Sequence, residues 1–390
     1  MTDQRVAYLA DTILDGGRRH AQAALLVEGS DLRGIVARDA VPEGIRRTDL
    51  GAGVIAPGFV DLQVNGGGGV MLNDAPTVDT LRRMTEAHAG LGSTRILPTL
   101  ITDTPAQTRA AVDAVARAVA AGMPGIAGLH LEGPHLAPAR KGAHNAGLIR
   151  PMADADLGAL CAAAARLPAL MVTLAPEAAR PDQIAALVRA GAIVSLGHTD
   201  APFDTCRAAF DAGATCVTHL YNAMRQIAGR EPGVVGAALA DGRVSAGVIA
   251  DGHHVHAANL GLAVRGKAGP GQVFLVSDAM AVAGTALTEF TLNGRDVRRA
   301  GGRLTLQDGT LAGADLDLAQ AVRVMVRAAG VPLADAVAMA TSVPARVIGQ
   351  GGRYGALSEG AAADFVHLRP DLTLKAVWRG GQRITPPGAF

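Results

Sequence analysis

Four short apolar segments of this 390-residue chain each end on a side chain that can bind a metal ion or carry a proton. They end on Glu132, His198, His219 and Asp278, in the runs IAGLHLE, AIVSLGH, CVTH and VFLVSD. One carboxylate and two imidazoles form a ligand set that suits zinc and similar divalent ions, with one position left open for water. Such an ion lowers the pKa of a bound water to about 7. Asp278 is then the candidate general base.

Apolar runs of about 4–8 residues are typical of strands buried on both faces. Eight such runs alternate with Ala/Arg/Leu-rich helical stretches, such as 104–121 and 201–212, between residues 58 and 349. The pattern predicts an α/β fold, a (β/α)8 TIM-like barrel, in which catalytic groups lie at the C-terminal ends of the strands. We therefore expect the four polar side chains to converge. The predicted strands are 58–64, 94–100, 126–132, 169–174, 192–197, 215–219, 244–249 and 272–277.

The two ends of the chain predict a second, small β-sandwich domain. Short β-like runs occur at 21–27 and 34–37 near the start, and at 364–368 and 374–379 near the end. Their pairing would form one domain from residues 1–56 and 355–390, with the barrel, 57–354, inserted within it. A hairpin at 287–306, with Asn293-Gly294 as its turn, is expected to interrupt the last βα connection.

Composition excludes several classes of protein. The net charge is +1, from 36 basic and 35 acidic residues, without a long like-charged run, which argues against a nucleic-acid or membrane-surface partner. Cys161, Cys206 and Cys216 are an odd number without C-x-x-C spacing, so neither a disulfide framework nor a thiolate zinc site is indicated. No secretory signal pattern and no apolar stretch of about 18 residues is found. A cytoplasmic enzyme is expected.

Nine sequence motifs resemble those of the N-acetylglucosamine-6-phosphate deacetylase family of the amidohydrolase superfamily. They keep the family's order and span residues 57–313, and the runs at 344–349 and 355–365 extend the resemblance to the end of the barrel. The family's fold and activity are therefore expected here. The motifs are PGFVDLQVNGGGG, HLEGPHL, KGAHN, LGHTDA, THLYNAM, GREPG, ADGHHV, VSDAM and DGTLAG.

The resemblance implies hydrolysis of N-acetyl-D-glucosamine 6-phosphate to D-glucosamine 6-phosphate and acetate, in amino-sugar catabolism or recycling. It implies that Glu132, His198 and His219 hold the metal and that Asp278 is the acid and base. By the match to KGAHN, His144 would stabilise the oxyanion, with the Ala143 backbone beside the sugar.

The resemblance also implies a set of substrate contacts and a homodimer. The arginine of the G-R-E-P-G motif, Arg230, would reach into the neighbouring subunit's site, and its fork of donors suits a phosphate. The remaining contacts would be made by Asn222, Ala223, His254, Leu311, Ala312 and Gly313.

The first predicted strand departs from the pattern of many amidohydrolases. Many of those proteins end the first strand with His-x-His, which binds a second metal. This chain has Gln63-Val64-Asn65 at the corresponding positions. Amides are poor ligands compared with imidazole, and the fourth strand, 169–174, has no lysine to bridge two ions. One divalent ion per subunit is predicted, with Zn²⁺ expected, although Fe²⁺, Mn²⁺ and Co²⁺ suit the same ligands.

Several alternatives stay open from the sequence. The substrate could be a related sugar phosphate such as N-acetylgalactosamine 6-phosphate, and a cyclic-amide hydrolase, a deaminase or a non-catalytic binding barrel would use the same fold. His130 either supports Glu132 or is an ordinary core histidine. Asp251 either orients His254 or ends its strand.

Overall fold

A closed barrel of eight parallel strands forms the centre of the molecule. The computed structural model describes residues 5–385, and within them the eight strands are hydrogen-bonded in chain order. The first and eighth strands meet through a parallel bridge between Val64 and Ala279 and a 3.0 Å hydrogen bond from Asp278 N to Gln63 O. The predicted (β/α)8 barrel is confirmed. Its strands are Phe59–Val64, Ser93–Ile101, Leu129–Glu132, Leu170–Leu174, Ile193–Leu196, Cys216–Val217, Ser245–Val248 and Val273–Leu275.

Helices surround the barrel, and several of them begin at polar caps. The side chains of Thr77, Thr104 and Asp317 each accept a hydrogen bond from the first turn of the helix that follows. None of the helices found in residues 5–385 combines the length and apolar character that a membrane span requires. The α-helices are Val78–Gly90, Pro105–Ala120, Asp154–Ala164, Pro181–Arg189, Phe203–Asp211, Gly233–Ala240, Ala257–Gly266, Leu318–Arg327, Leu333–Ala340 and Ser342–Val347.

Strands from both ends of the chain pair in one sheet beside the barrel. Val54–Pro57 runs antiparallel to Phe365–Leu368. The other members of this six-stranded sheet are Thr12–Asp15, Arg18–Ala21, Leu374–Arg379 and Gln382–Ile384. A second sheet contains Arg5–Leu9, Ala23–Glu28, Asp31–Ala37 and Arg46–Asp49. The two sheets share a core that includes Tyr8, Leu25, Ile55, Phe365 and Trp378.

We propose that these two sheets are the predicted small domain of residues 1–56 and 355–390. Its outermost parts, residues 1–4 and 386–390, lie outside the described residues. The shared core and the pairing of distant chain segments support this division.

The predicted hairpin lies at the mouth of the barrel. Glu289–Leu292 pairs antiparallel with Arg295–Ala300, and the turn residues Asn293 and Gly294 have φ of 50° and 72°. Two positive φ values are the signature of the type I′ turn that Asn-Gly favours. Arg303–Thr305 and Leu311–Ala314 extend the sheet. Its buried side chains pack against Met280, so the insert adjoins the end of the eighth strand.

A buried ion pair joins the barrel to the terminal sheets and supplies a stability test. Arg95 Nη2 lies 2.9 Å from Asp364 Oδ2, with the two side chains only 11% and 4% exposed, and the guanidinium stacks over Tyr354. Arg95→Met would leave Asp364 as an unpaired buried charge. We expect a loss of about 3–5 kcal/mol in the free energy of unfolding, measured by urea denaturation.

The control for this prediction is Arg82→Met. Arg82 pairs with Asp79 at 2.7 Å on the exposed face of a helix, where such a pair contributes less than about 1 kcal/mol. Equal effects of the two substitutions would contradict a structural role for the buried pair.

Candidate active site

Three side chains converge at the C-terminal mouth of the barrel. Glu132 ends the third strand, and His198 and His219 follow the fifth and sixth strands by two residues. Glu132 Oε1 lies 3.2 Å from His198 Nε2 and 3.0 Å from His219 Nε2, and the two nitrogens are 3.1 Å apart. All three residues are at least 95% buried. Strands distant in sequence thus place three donor atoms around one point.

The backbone at these strand ends has an uncommon conformation. His198, His219 and Asp278 have φ of 48°, 29° and 51°, in the left-handed region that non-glycine residues rarely adopt. Such conformations cost on the order of 1–3 kcal/mol each and cluster at functional sites. The chain therefore turns sharply at these residues, next to the barrel axis.

The donor set fits a divalent metal ion. Two imidazole nitrogens and a carboxylate oxygen within 4.8 Å of one another are the ligands such an ion accepts. His198 Nδ1 lies 2.8 Å from the Arg140 carbonyl, which only accepts, so Nδ1 carries the proton and Nε2 presents its lone pair to the cluster. Burial opposes ionisation of Glu132, but His198 and His219 outweigh it and hold the Glu132 pKa well below its usual range.

The first-strand amides contact the two carboxylates of the site. Gln63 Nε2 donates to Glu132 Oε1 at 3.1 Å, and Asn65 Nδ2 donates to Asp278 Oδ1 at 2.7 Å. Amide nitrogens, which cannot ligate a metal, therefore face these carboxylates. Asn65 Oδ1 is buried with no partner among residues 5–385, which leaves it free to accept a hydrogen bond from water or a ligand.

Asp278 is a carboxyl group with a shifted pKa. Burial raises the pKa of Asp278 to about 6, and the charge of Glu132 acts in the same direction. The positive charge of His219 and His254 and the hydrogen bond from Asn65 oppose the shift. A group with a pKa near neutrality can both accept and return a proton at physiological pH.

His144 lies beside the donor cluster without belonging to it. Its ring centroid is 4.3 Å from that of His198, and its Nε2 is 3.9 Å from Glu132 Oε2. Burial lowers the pKa of His144 to about 3, and the charge of His198 adds to the effect. Its Nδ1 lies 2.8 Å from Thr102 Oγ1.

Two other histidines have well-defined partners. His254 Nδ1 lies 2.6 Å from Asp251 Oδ2. This contact favours the interpretation in which Asp251 orients His254 over the one in which Asp251 only ends its strand. His130 is buried, with Nδ1 3.0 Å from the Leu62 carbonyl and Nε2 2.7 Å from Thr173 Oγ1. His130 is thus a hydrogen-bonded histidine of the barrel interior.

A cavity of about 360 Å³ opens above these groups, a volume within the range for small-molecule sites. Most of the predicted site residues line it. These are Asn65, Glu132, Ala143, His144, His198, His219, Asn222, Ala223, His254, Asp278, Leu311 and Gly313.

Three predicted residues are placed elsewhere. Arg230 is exposed and does not line the cavity of its own chain. Ala312 is fully buried and packs in the hairpin core, between its cavity-lining neighbours Leu311 and Gly313. The Gln63 side chain does not line the cavity and contacts Glu132.

The sequence interpretation missed further residues of the site. Met280 and Leu292 supply apolar walls, and Arg140 lines the rim. Thr102 immediately follows the second strand and contacts His144. The same signal that identified the other strand ends, a polar residue after an apolar run, was present at Thr102.

A cluster of carboxylate and imidazole donors at the mouth of a (β/α)8 barrel is typical of metal-dependent hydrolases. The chain belongs to the amidohydrolase family, whose sequence model matches residues 54–384. This family implies a divalent metal, in agreement with the donor cluster.

Relatives of the chain include sugar-phosphate deacetylases. The chain is 44% identical to N-acetylgalactosamine-6-phosphate deacetylase of Shewanella sp. (strain ANA-3), over 86% of this chain and 84% of the relative. It is 34% identical to N-acetylglucosamine-6-phosphate deacetylase of Haemophilus influenzae, over 89% and 91%. The crystal structure of N-acetylglucosamine-6-phosphate deacetylase from Pasteurella multocida superposes with a TM-score of 0.92 at 32% identity, covering 97% of this chain and 99% of that one.

Proposed function

We propose that this protein hydrolyses the acetamide of N-acetyl-D-glucosamine 6-phosphate, releasing acetate and D-glucosamine 6-phosphate for amino-sugar catabolism. The observation that carries the proposal is the arrangement of Glu132, His198 and His219 in one cavity with Asp278 and His144. The deacetylase relatives support both the reaction and the substrate class.

One divalent ion, Zn²⁺, is proposed to be held by Glu132, His198 and His219. When bound, such an ion supplies Lewis acidity that polarises water and carbonyl groups at neutral pH. The first strand supports a single ion, because Gln63 and Asn65 direct amide nitrogens toward carboxylates. Amide nitrogens cannot serve as ligands of a second metal. The fourth strand, Leu170–Leu174, has the sequence LMVTL and contains no lysine to bridge two ions.

Asp278 is proposed to move the proton. As a carboxylate, it accepts a proton from the attacking water, and as a carboxylic acid it returns that proton to the amine when the C–N bond breaks. Asn65 holds Oδ1 of Asp278 through a 2.7 Å hydrogen bond, which leaves Oδ2 for this transfer. His144 lies beside the donor cluster, with its ring centroid 4.3 Å from that of His198, where it can donate a hydrogen bond to the oxyanion.

The remaining cavity residues are proposed to bind the sugar phosphate. His254, oriented by Asp251, and Asn222 offer polar atoms, and the backbone at Ala223 lies beside them. Leu311 and Gly313 form the wall on the side of the hairpin insert. Ala312 contributes through the backbone that sets this wall.

The galactosamine epimer is a second candidate substrate, and sequence identity favours it. The relative at 44% identity carries that epimer in its name, whereas the Haemophilus relative, named for the glucosamine epimer, is at 34%. The two sugars differ in one hydroxyl. Comparing kcat/KM for acetate release from the two phosphates decides between them: a higher value for the glucosamine epimer supports the first proposal, and the reverse supports the second.

A homodimer in which Arg230 enters the partner's cavity is also proposed. Arg230 is exposed, and Ile227, three residues earlier, exposes 56% of its surface, as expected where a second subunit would pack. Arg230→Gln should lower kcat/KM by about tenfold to a hundredfold through loss of a charged hydrogen bond to phosphate.

Mixed dimers test whether Arg230 acts across subunits. A dimer of one Arg230→Gln chain and one Asp278→Asn chain contains one complete site, so random mixing should restore about a quarter of wild-type activity. Light scattering should report a dimer throughout. A monomer, or mixtures no more active than the two variants measured separately, would contradict the proposal.

The protein is proposed to act in the cytoplasm. Its three cysteines are free, and two of them, Cys206 and Cys216, are buried. Free thiols of this kind are the usual state in a reducing compartment.

A further inference from the structure

Thr102 lies at the end of the second barrel strand, in contact with His144. Thr102 is 1% exposed and His144 is 4% exposed. Two atoms of Thr102 approach His144 Nδ1: the hydroxyl Oγ1 at 2.8 Å and the backbone nitrogen at 3.4 Å. Both contacts involve the ring nitrogen that points away from the donor cluster.

The backbone contact indicates which ring nitrogen of His144 carries the proton. A backbone N–H can only donate, so its contact with Nδ1 at 3.4 Å favours an unprotonated Nδ1 that accepts hydrogen bonds. The Thr102 hydroxyl then also donates to Nδ1, since its other acceptor among the described residues, the Glu132 carbonyl, is more distant at 3.5 Å. The proton of a neutral His144 ring is consequently on Nε2.

The neighbouring glycine leaves room for this hydroxyl. Gly133 follows Glu132 with φ of +87°, and a Cβ at this position would lie 2.3 Å from Thr102 Oγ1. Any side chain at 133 would displace the hydroxyl from His144. The close approach of the two strand ends therefore fixes the position of Thr102.

We infer that Thr102 is a positioning residue that holds His144 as a hydrogen-bond donor and keeps it from acting as a metal ligand. Nε2 of His144 faces Glu132 Oε2 at 3.9 Å. In the opposite tautomer, Nε2 would present a lone pair to the ion and add a fourth protein ligand to Glu132, His198 and His219. With Thr102 in place, Nε2 presents an N–H, the group that an oxyanion requires.

The catalytic part of this inference rests on the proposed deacetylase activity, whereas the tautomer does not. The first measurement is therefore nitrogen NMR of histidine-labelled protein, with His144 assigned by the loss of its signals in His144→Gln. The wild type should have a protonated Nε2 and an unprotonated Nδ1 shifted by accepted hydrogen bonds. Thr102→Val should move the Nδ1 signal toward the position of a free ring nitrogen, and Thr102→Ser should not.

The second measurement is steady-state kinetics on the sugar phosphates. Thr102→Val should lower kcat by roughly tenfold to a hundredfold, less than loss of an oxyanion donor itself, with KM and metal content near wild type. Thr102→Ser should restore kcat. Thr341→Val removes another buried hydroxyl, one that donates to the Val337 carbonyl at 2.8 Å, and should leave kcat and the His144 signals unchanged.

A protonated Nδ1 in the wild type would overturn the inference, as would a Thr102→Val variant with wild-type kcat and an unshifted Nδ1 signal. If neither sugar phosphate is hydrolysed but the NMR result is as expected, the proposed function fails and the tautomer stands.

Discussion

Asp278→Asn should lower kcat for acetate release by about two to four orders of magnitude, the range associated with general acid-base groups. An asparagine has the same shape, and its amide oxygen can still accept the 2.7 Å hydrogen bond from Asn65. It cannot take a proton from water or return one to the amine. KM for the sugar phosphate and the metal content should therefore stay close to the wild-type values, so that the loss falls on kcat.

Asp317→Asn is the matched control for this substitution. Asp317 begins the helix Leu318–Arg327 by accepting a hydrogen bond from Gln320 N at 2.7 Å, and asparagine caps helices equally well. Near-wild-type turnover is expected for it. If Asp278→Asn also retained near-normal turnover, Asp278 would not be the proton-transfer group.

Glu132→Gln should remove the metal and with it the activity. The substitution replaces an anionic ligand with a neutral amide and leaves His198 and His219 facing each other at 3.1 Å without a counter-charge. We expect metal content near zero after purification and a fall in kcat/KM on the order of a thousandfold or more, because the chemistry supplied by the ion is lost. Elemental analysis and acetate release measure the two effects.

Thermal unfolding separates loss of metal from loss of fold. Added Zn²⁺ should raise Tm of metal-depleted wild type, since ligand binding stabilises the folded state, and should leave Tm of Glu132→Gln unchanged. Glu289→Gln, on the exposed edge of the hairpin, should behave as wild type in every assay. A Glu132→Gln protein with one bound ion and normal turnover would refute the proposed ligand set.

The barrel and its polar strand ends could be predicted because each depends on local sequence. Buried parallel strands are continuous apolar runs, and the residue after each run lies at the shared face of the barrel. Glu132, His198, His219 and Asp278 all follow this rule. The Asn293-Gly294 turn was equally local, since both residues must adopt positive φ.

Other parts of the site depend on side-chain directions that no spacing encodes. Gln63 and Asn65 could be recognised as replacements for metal-binding histidines, but not as donors to Glu132 and Asp278. Ala312 is different, because its burial follows from the spacing of residues along its strand. Alternate residues of an extended strand point to opposite faces, and here Leu311 and Gly313 reach the cavity while Ala312 is buried.

Thr102 could have been found from the sequence, whereas the contact of Arg230 with a partner could not. Thr102 follows an apolar strand just as the predicted ligands do, and only its neutral hydroxyl made it less conspicuous. Arg230 is exposed on its own chain. Its proposed role depends on a second subunit, and a single chain does not contain that geometry.

The central claim is a single metal ion held by Glu132, His198 and His219 that is required for deacetylation. The most direct test is elemental analysis of the purified protein combined with acetate release from N-acetyl-D-glucosamine 6-phosphate, before and after treatment with a chelator. We predict one divalent ion per chain, loss of activity with the ion, and recovery when Zn²⁺ is added. Two tightly bound ions per chain, or acetate release indifferent to metal removal, would contradict this account.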